Sequence, residues 1–571
     1  MTESIRDRVG DDAPGSLPAG LVERLRRIVG HRHVLASPAE IGPQSLDIGC
    51  WSTRGAAVVF PGSADEIAAL VRLAAEAGLG VWTVSRGTNW GYGAKMASAN
   101  GALILVLERM NRILEVNAEL AYAVVEPGVT YAQLNAHLKD HGIPLWADCT
   151  DASPYGSIIG NALERGVGCT QYADHCGALC GLEVVLANGS VVRPGGGPAD
   201  SRSRYTYKWG SGPFVDGLFF QSNLGIVTTA GVWLMPAPAA MTLFGCAVER
   251  DDGLPAAMDA LRRLALRGVI QPNVHVSNDV LVFANLMQYP YDRLRGATHM
   301  SAALRADLRR EYLVSPWIIV GAVYGRPGEV ARDAREIRRA LRGVGRVELV
   351  GARKLALARA LLGPWRRAGR GSVVDRVLRA ATHSSLDRLE AIPHLWDTFR
   401  GVPGEHIVSF AYFKNRRYAH RSDRPAIGVD PARDGCGMTW GAFACPITAS
   451  DTRDFLACVR PIFERHGFDC SMSMLMINAR TCYALVQIFF DRDDPAECVR
   501  ARALYDDVVD AAPRRGFQQV RTSIGSYDRL LEHAPAYAHL VATIKTALDP
   551  ANVLAPGRYG VGSTSSRARR D

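Results

Sequence analysis

Between Ser85 and Gly93 the chain reads Ser85-Arg86-Gly87-Thr88-Asn89-Trp90-Gly91-Tyr92-Gly93, three glycines in nine residues, directly behind the apolar run Val81-Trp82-Thr83-Val84. An apolar run emptying into glycines reads as a strand that ends in a tight turn. Glycine reaches positive φ and lets the backbone approach a ligand closely, and consecutive amide N–H groups in such a turn form a nest for phosphate oxygens. A tight connection with no ligand uses the same residues, so the turn gains meaning only from what accompanies it.

Two further segments accompany it. Ser157-Ile158-Ile159-Gly160-Asn161 with Gly166-Val167-Gly168 forms a second loop punctuated by glycine, and Gly217 to Thr228 leads through Gly225 into the β-branched Ile226-Val227-Thr228. Around them the pattern is α/β: a strand over 56–60, a helix over 65–76 capped by Ser63, a strand over 81–84, and a helix over 131–140. Strands are also expected over 102–107, 121–125, 182–186, 190–193 and 226–234, and a short amphipathic helix near 21–29. Pro236-Ala237-Pro238 marks a boundary. Beyond it, strands over 317–324 and 483–490 and a helix over 329–341 interleave without a steady βαβ rhythm, which predicts an antiparallel α+β unit. At 571 residues the chain exceeds one core, so two large domains are expected.

The three glycine segments, in this order and spacing, resemble the flavoprotein family of vanillyl-alcohol oxidase, eugenol oxidase and the flavin subunit of para-cresol methylhydroxylase. So do Met110 to Val116, Val125-Glu126-Pro127-Gly128-Val129, Gly181 to Gly189, and Leu548-Asp549-Pro550-Ala551-Asn552-Val553-Leu554-Ala555-Pro556-Gly557-Arg558. The resemblance implies an α+β, two-domain flavoprotein: an N-terminal extension over 1–45, a PCMH-type FAD-binding domain over 46–240, and an antiparallel-sheet substrate (cap) domain over 241–500. A segment over 501–562 returns to the FAD domain, and a disordered Ser- and Arg-rich tail covers 563–571. It implies FAD, bound by Arg86, Gly87, Thr88, Asn89, Gly91, Tyr92, Pro127, Gly128, Ser157, Gly160, Asn161, Gly225, Ile226, Val227, Lys545 and Arg558.

The same resemblance places Tyr92 and Arg521 on a phenolate and Asp151 beside the flavin N5, as the catalytic residues. The second phenolate-binding Tyr of the family is replaced by Val520. The histidine that attaches FAD in many relatives corresponds to Gly441, four residues before Cys445-Pro446-Ile447, and a second attachment position corresponds to Asn89. FAD is therefore expected to be non-covalent, although Cys149 lies within a few residues of the cysteinyl attachment point of doubly linked members. Thr150 stands where several oxidases of the family have Pro, so the electron acceptor stays open between O2 and a separate redox protein. Asp174 and His175 are kept, His175 either for a structural hydrogen bond or to orient a neighbour near the flavin.

The implied activity is hydride transfer to flavin N5 from a small para-substituted phenolic or benzylic substrate. Oxidation of a non-phenolic hydroxy compound or biosynthetic intermediate is the alternative, and a flavin-binding protein without activity is a third reading. Net charge of +9 comes mainly from scattered arginines, 60 against six lysines, with no basic stripe interleaved with aromatics, which argues against nucleic acid. No run approaches the ~20 apolar residues of a membrane span, and Met1 to Pro14 lacks a signal peptide's apolar core. Twelve cysteines without a secretory signal read as reduced thiols of a cytoplasmic protein. Cys176 and Cys180 lack a second ligand pair, so no metal is expected. A homodimer is among the assemblies the resemblance allows.

Overall fold

The computed structural model describes residues 17–150, 153–198, 200–271, 274–369, 371–382, 385–418 and 428–562. Asp151, residues 1–16 of the N-terminal extension and the 563–571 tail therefore lie outside the described residues.

Three large sheets organise the described residues, with a two-stranded ribbon of Leu145–Trp146 and Met235–Pro236 beside them. The first has four strands in the order Val34–Leu35, Ala57–Val59, Leu103–Val106 and Val81–Val84, the last two pairings parallel. Parallel pairing needs a crossover, supplied by the helix Ala64–Glu76. Ser63 caps that helix by accepting from the Glu66 amide, and Ile67, Leu70, Val71 and Ala74 bury the stripe that faces the sheet. A five-stranded antiparallel sheet follows, in the order Ile113–Asn117, Tyr122–Val125, Ile226–Trp233, Leu179–Val185 and Val191–Val192. The expected helix over Tyr131–Asp140 is capped by Thr130.

The third sheet has eight strands, every pairing antiparallel. From edge to edge the order is Arg346–Val350, Ala240–Val248, Trp317–Gly325, His275–Asn278, Ser471–Met476, Thr481–Phe489, Met438–Pro446 and Gln519–Arg521. Its two faces differ in chemistry. Phe244, Ile319, Val276, Met474, Val486 and Phe443 point to one side, into a core shared with the helices Leu254–Leu266, Pro327–Leu341, Ala449–His466 and Pro495–Arg514. The alternate residues point to the other side and line a cavity.

The chain's return differs from the expected position at 501. The helix Pro495–Arg514 packs behind the eight-stranded sheet and Gln519–Arg521 pairs with Met438–Pro446, so the chain stays with this sheet through Arg521. After that, Ile544 and Leu548 pack on the core of the five-stranded sheet and Leu554 bridges to Val81. Among the described residues no helix is long and apolar enough to cross a membrane.

Candidate functional site

A cavity of about 700 Å³ lies between the loops of the first two sheets and the open face of the third. Its walls include Arg86, Gly87, Thr88, Asn89 and Tyr92 from the first glycine loop, Ser157, Gly160 and Asn161 from the second glycine segment, which folds as the helix Ile158–Leu163 capped by Ser157 rather than as a loop, Gly225, Ile226 and Val227 from the third, and Arg521 and Arg558 from the C-terminal part. Residues separated by more than 400 positions thus converge on one space.

The first loop is held from beneath by Asp47, which sequence reasoning missed. Its buried carboxylate accepts from the amides of Gly91 at 2.9 Å, Gly93 at 3.2 Å and Gly49 at 3.0 Å, and from Trp51 Nε1 at 3.0 Å. Gly91 has φ 79°, and a Cβ there would lie 2.6 Å from Trp440 Cδ1, so glycine is required for both conformation and approach. This corrects the expected cofactor role of Gly91, whose amide is spent on Asp47. The same holds for three other amides: Tyr92 donates to Asn89 O, Gly160 to Ser157 Oγ and Asn161 to Ser157 O. By contrast, among the described residues the amides of Gly87, Thr88 and Asn89 have no acceptor, and they adjoin the cavity. Three consecutive unpaired N–H groups are the donor set that an anion nest requires.

At the rim of the same space Arg558 pairs with Glu164, donates to Thr83 O at 3.2 Å, and lies 5.1 Å from the Trp82 ring centroid. Tyr559 donates to the other oxygen of Glu164. Burial opposes the Arg558 charge, but Glu164, Tyr527 and Tyr559 outweigh it and hold its pKa above the ordinary value. Its Nε is buried with no partner among the described residues, as is Nε of Arg521. The unsatisfied Arg558 Nε and the free amides together offer an anion such as a pyrophosphate one cationic and three neutral donors.

Further along the cavity, Tyr92 stacks on Trp440 at 6.3 Å with an interplanar angle of 2°, and the Arg521 guanidinium sits 4.5 Å from the Tyr92 ring centroid. Arg521 also binds Asn89 Oδ1, which fixes its head against the first loop. Burial pushes the Tyr92 phenol well up, against the pull of Arg521, so its hydroxyl stays protonated as a donor. Arg521 faces the cavity and Val520 does not, while Val520 O accepts from Gln221 Nε2 at 2.8 Å.

Other expected residues sit elsewhere. Lys545 does not reach the cavity: its Nζ is buried and spent on Asn223 O, Asp549 and Leu554 O at 2.9, 2.6 and 2.7 Å. Its spacing of four from Asp549 on a helix end was the readable signal for this clamp. Pro127 and Gly128 lie behind the second glycine segment, Pro127 O accepting from Ser157 Oγ at 2.5 Å and Gly128 pressed against the carbonyls of Leu107, Glu108 and Met110. Asp148 is buried and accepts from the Cys169 and Thr170 amides, with His175 Nε2 3.2 Å away. His175 Nδ1 lies 2.6 Å from Asn161 Oδ1 and 3.1 Å from Tyr131 Oη, so this histidine ties the helices Tyr131–Asp140 and Ile158–Leu163 to the Asp148 loop. Gly441 faces away from the cavity: a Cβ there would meet Val486 and Val508 on the helical side. The residues of its strand that do face the cavity are Met438, Trp440 and Ala442.

Residues 55–195 match the model of an FAD binding domain. The chain is 36% identical over 539 residues to 1'-carboxy-chondrochloren decarboxylase of Chondromyces crocatus, covering 94% of this chain and 96% of that protein. It is 26% identical over 547 residues to the 4-cresol dehydrogenase [hydroxylating] flavoprotein subunit of Pseudomonas putida, covering 95% of each. Among solved structures, 4-ethylphenol oxidase from Gulosibacter chungangensis superposes with a TM-score of 0.83 at 26% identity, covering 96% of this chain and 98% of that one. Fold and cavity therefore define an FAD-linked oxidoreductase. The chain belongs to the flavoprotein family of vanillyl-alcohol oxidase and para-cresol methylhydroxylase.

Proposed function

We propose that the chain oxidises a para-substituted phenol, and the observation that carries this reading is the Arg521 guanidinium poised over Tyr92 with a buried, unpaired Nε. A permanent cation beside a phenol lowers its pKa, and the protonated Tyr92 hydroxyl donates to the resulting phenolate. Phenolate oxygen pushes electron density to the para position, which helps hydride leave the benzylic carbon and turns the substrate into a quinone methide. FAD supplies the hydride acceptor at N5 when bound. The free amides of Gly87, Thr88 and Asn89, with Arg558, would hold its pyrophosphate, while Arg86, Ser157 and Gly225–Val227 complete the walls. Asp151 is assigned the carboxylate beside N5 that accepts a proton or balances charge. Electrons then leave to O2 or to a separate redox protein.

Two features extend the reading. Gly441, which faces away from the cavity, and Asn89 in the first loop offer no nucleophile at either histidyl attachment position, which supports non-covalent FAD. Similarity to a decarboxylase supports a second outcome after the shared hydride transfer. A carboxylate on the carbon next to the benzylic one leaves as CO2, its bonding electrons restoring the aromatic ring, where otherwise water adds. Twelve free thiols favour the cytoplasm as the location.

Anaerobic flavin reduction against para-alkyl phenols, benzylic alcohols and aliphatic hydroxy acids tests the proposal. Bleaching by phenols alone is expected. Bleaching by hydroxy acids but by no phenol would replace it with oxidation of a non-phenolic hydroxy compound.

A further inference from the structure

The cavity does not end where a small phenol would. Every one of the eight strands contributes residues to it, from Arg521 on one edge strand through Leu485, Leu475, Ser277 and Val320 to Glu348 on the other. Neighbouring strands lie ~4.8 Å apart, so the cavity runs roughly 30 Å across the sheet. Its two ends are unlike. Tyr92, only 6% exposed, helps close the Arg521 end, whereas Arg346 and Glu348, with side chains 46% and 48% exposed, form an ion pair at the opposite edge. The stretch between them is mixed, with His275, Ser277 and Tyr483 set among hydrocarbon side chains. Leu475, Leu485 and Val320 are hydrocarbon, and the amide of Gln487 is occupied by Ser471 and Ser473 at 3.0 Å each.

From this geometry we infer that the substrate is a para-substituted phenol carrying a long, largely apolar chain. The ring enters first and stops at Tyr92 and Arg521, while the chain lies across the sheet toward the charged mouth at Arg346 and Glu348. This rests on the phenol reading above and adds the substrate's length and polarity. Each methylene that reaches the hydrocarbon side chains tightens binding by about fourfold at most.

The test is anaerobic flavin reduction by 4-ethylphenol, 4-butylphenol and 4-hexylphenol in the parent enzyme and in two plugged variants, Ser277→Trp and Val320→Trp. In the parent the apparent dissociation constant should fall at least about tenfold from the ethyl to the hexyl compound. Either plug should abolish that gain and leave 4-ethylphenol unaffected within about threefold, with FAD content and melting temperature showing that the variant is folded. If one plug prevents folding, the other decides. The inference is overturned if longer chains bind more weakly to the parent, or if a folded plugged variant keeps the gain. Should 4-ethylphenol fail to reduce the parent's flavin, the phenol reading falls. Quenching of flavin fluorescence by 4-ethylanisole and 4-hexylanisole then reads the channel alone: the same length dependence, lost on plugging, sustains it, and its absence overturns it.

Discussion

Replacing Arg521 by Met keeps a long apolar side chain in the cavity wall and removes the charge. Opposite charges about 4 Å apart attract by ~4 kcal/mol at an effective dielectric of ~20, which at ~1.36 kcal/mol per pKa unit is about three units. A cation within 4–6 Å lowers an acid's pKa by about one to three units in practice. A phenol that ionises near pH ~10 in water should therefore ionise at about 7–9 beside Arg521, and at about 10 or above in the variant. Below all of these values the phenolate fraction, and with it the reduction rate, falls roughly 10- to 1000-fold. The sign is specific: the parent's rate should rise with pH and level off above its bound-phenol pKa, whereas the variant's rate should keep rising toward about pH 10. Stopped-flow bleaching of the flavin across pH reads both. The FAD content of the variant should match the parent's. Rates within about threefold of the parent and a superimposable pH profile would refute the electrostatic role of Arg521.

Further outcomes follow from the same geometry. Acid precipitation should release FAD into the supernatant, and flavin retained in the pellet would show a covalent bond that Gly441 and Asn89 cannot make. Asp151→Asn should keep FAD and slow reduction by about 10²- to 10⁴-fold, measured in single turnover; an unchanged rate would remove Asp151 from the chemistry. Asp47→Asn should loosen the first loop, lowering stability by roughly 1.5–3 kcal/mol and weakening FAD retention, as read by denaturant melts and flavin content. Lys545→Met should destabilise by about 3–5 kcal/mol through the unpaired Asp549, yet leave the reduction rate of folded enzyme unchanged.

Local signals were legible in the sequence and distant ones were not. The strand Val81–Val84 and the helix Ala64–Glu76 lie where the apolar runs and the Ser63 cap put them, because those signals act within one turn. Which loop amides stay free was not legible, since it depends on Asp47, 44 residues before Gly91. Nor was the partner of Arg558, because Glu164 is 394 residues away. The side to which Gly441 points follows from strand register: a shift of one residue exchanges the helical face for the cavity face, and pairing with Val486 sets it. The return of the chain was placed too early because the apolar face of the Pro495–Arg514 helix does not name the sheet it covers. The convergence of Tyr92 and Arg521 came from the family resemblance, and the structure puts their contact at 4.5 Å.

The central claim, that an ionised phenol gives hydride to the flavin, is tested most directly by mixing the oxidised enzyme anaerobically with 4-ethylphenol and, separately, with its methyl ether 4-ethylanisole. The two share a benzylic carbon and nearly a shape, and only the phenol can lose a proton to the field of Arg521. Rapid bleaching by the phenol and none by the ether is the expected result. Equal bleaching by both, or by neither, would contradict it.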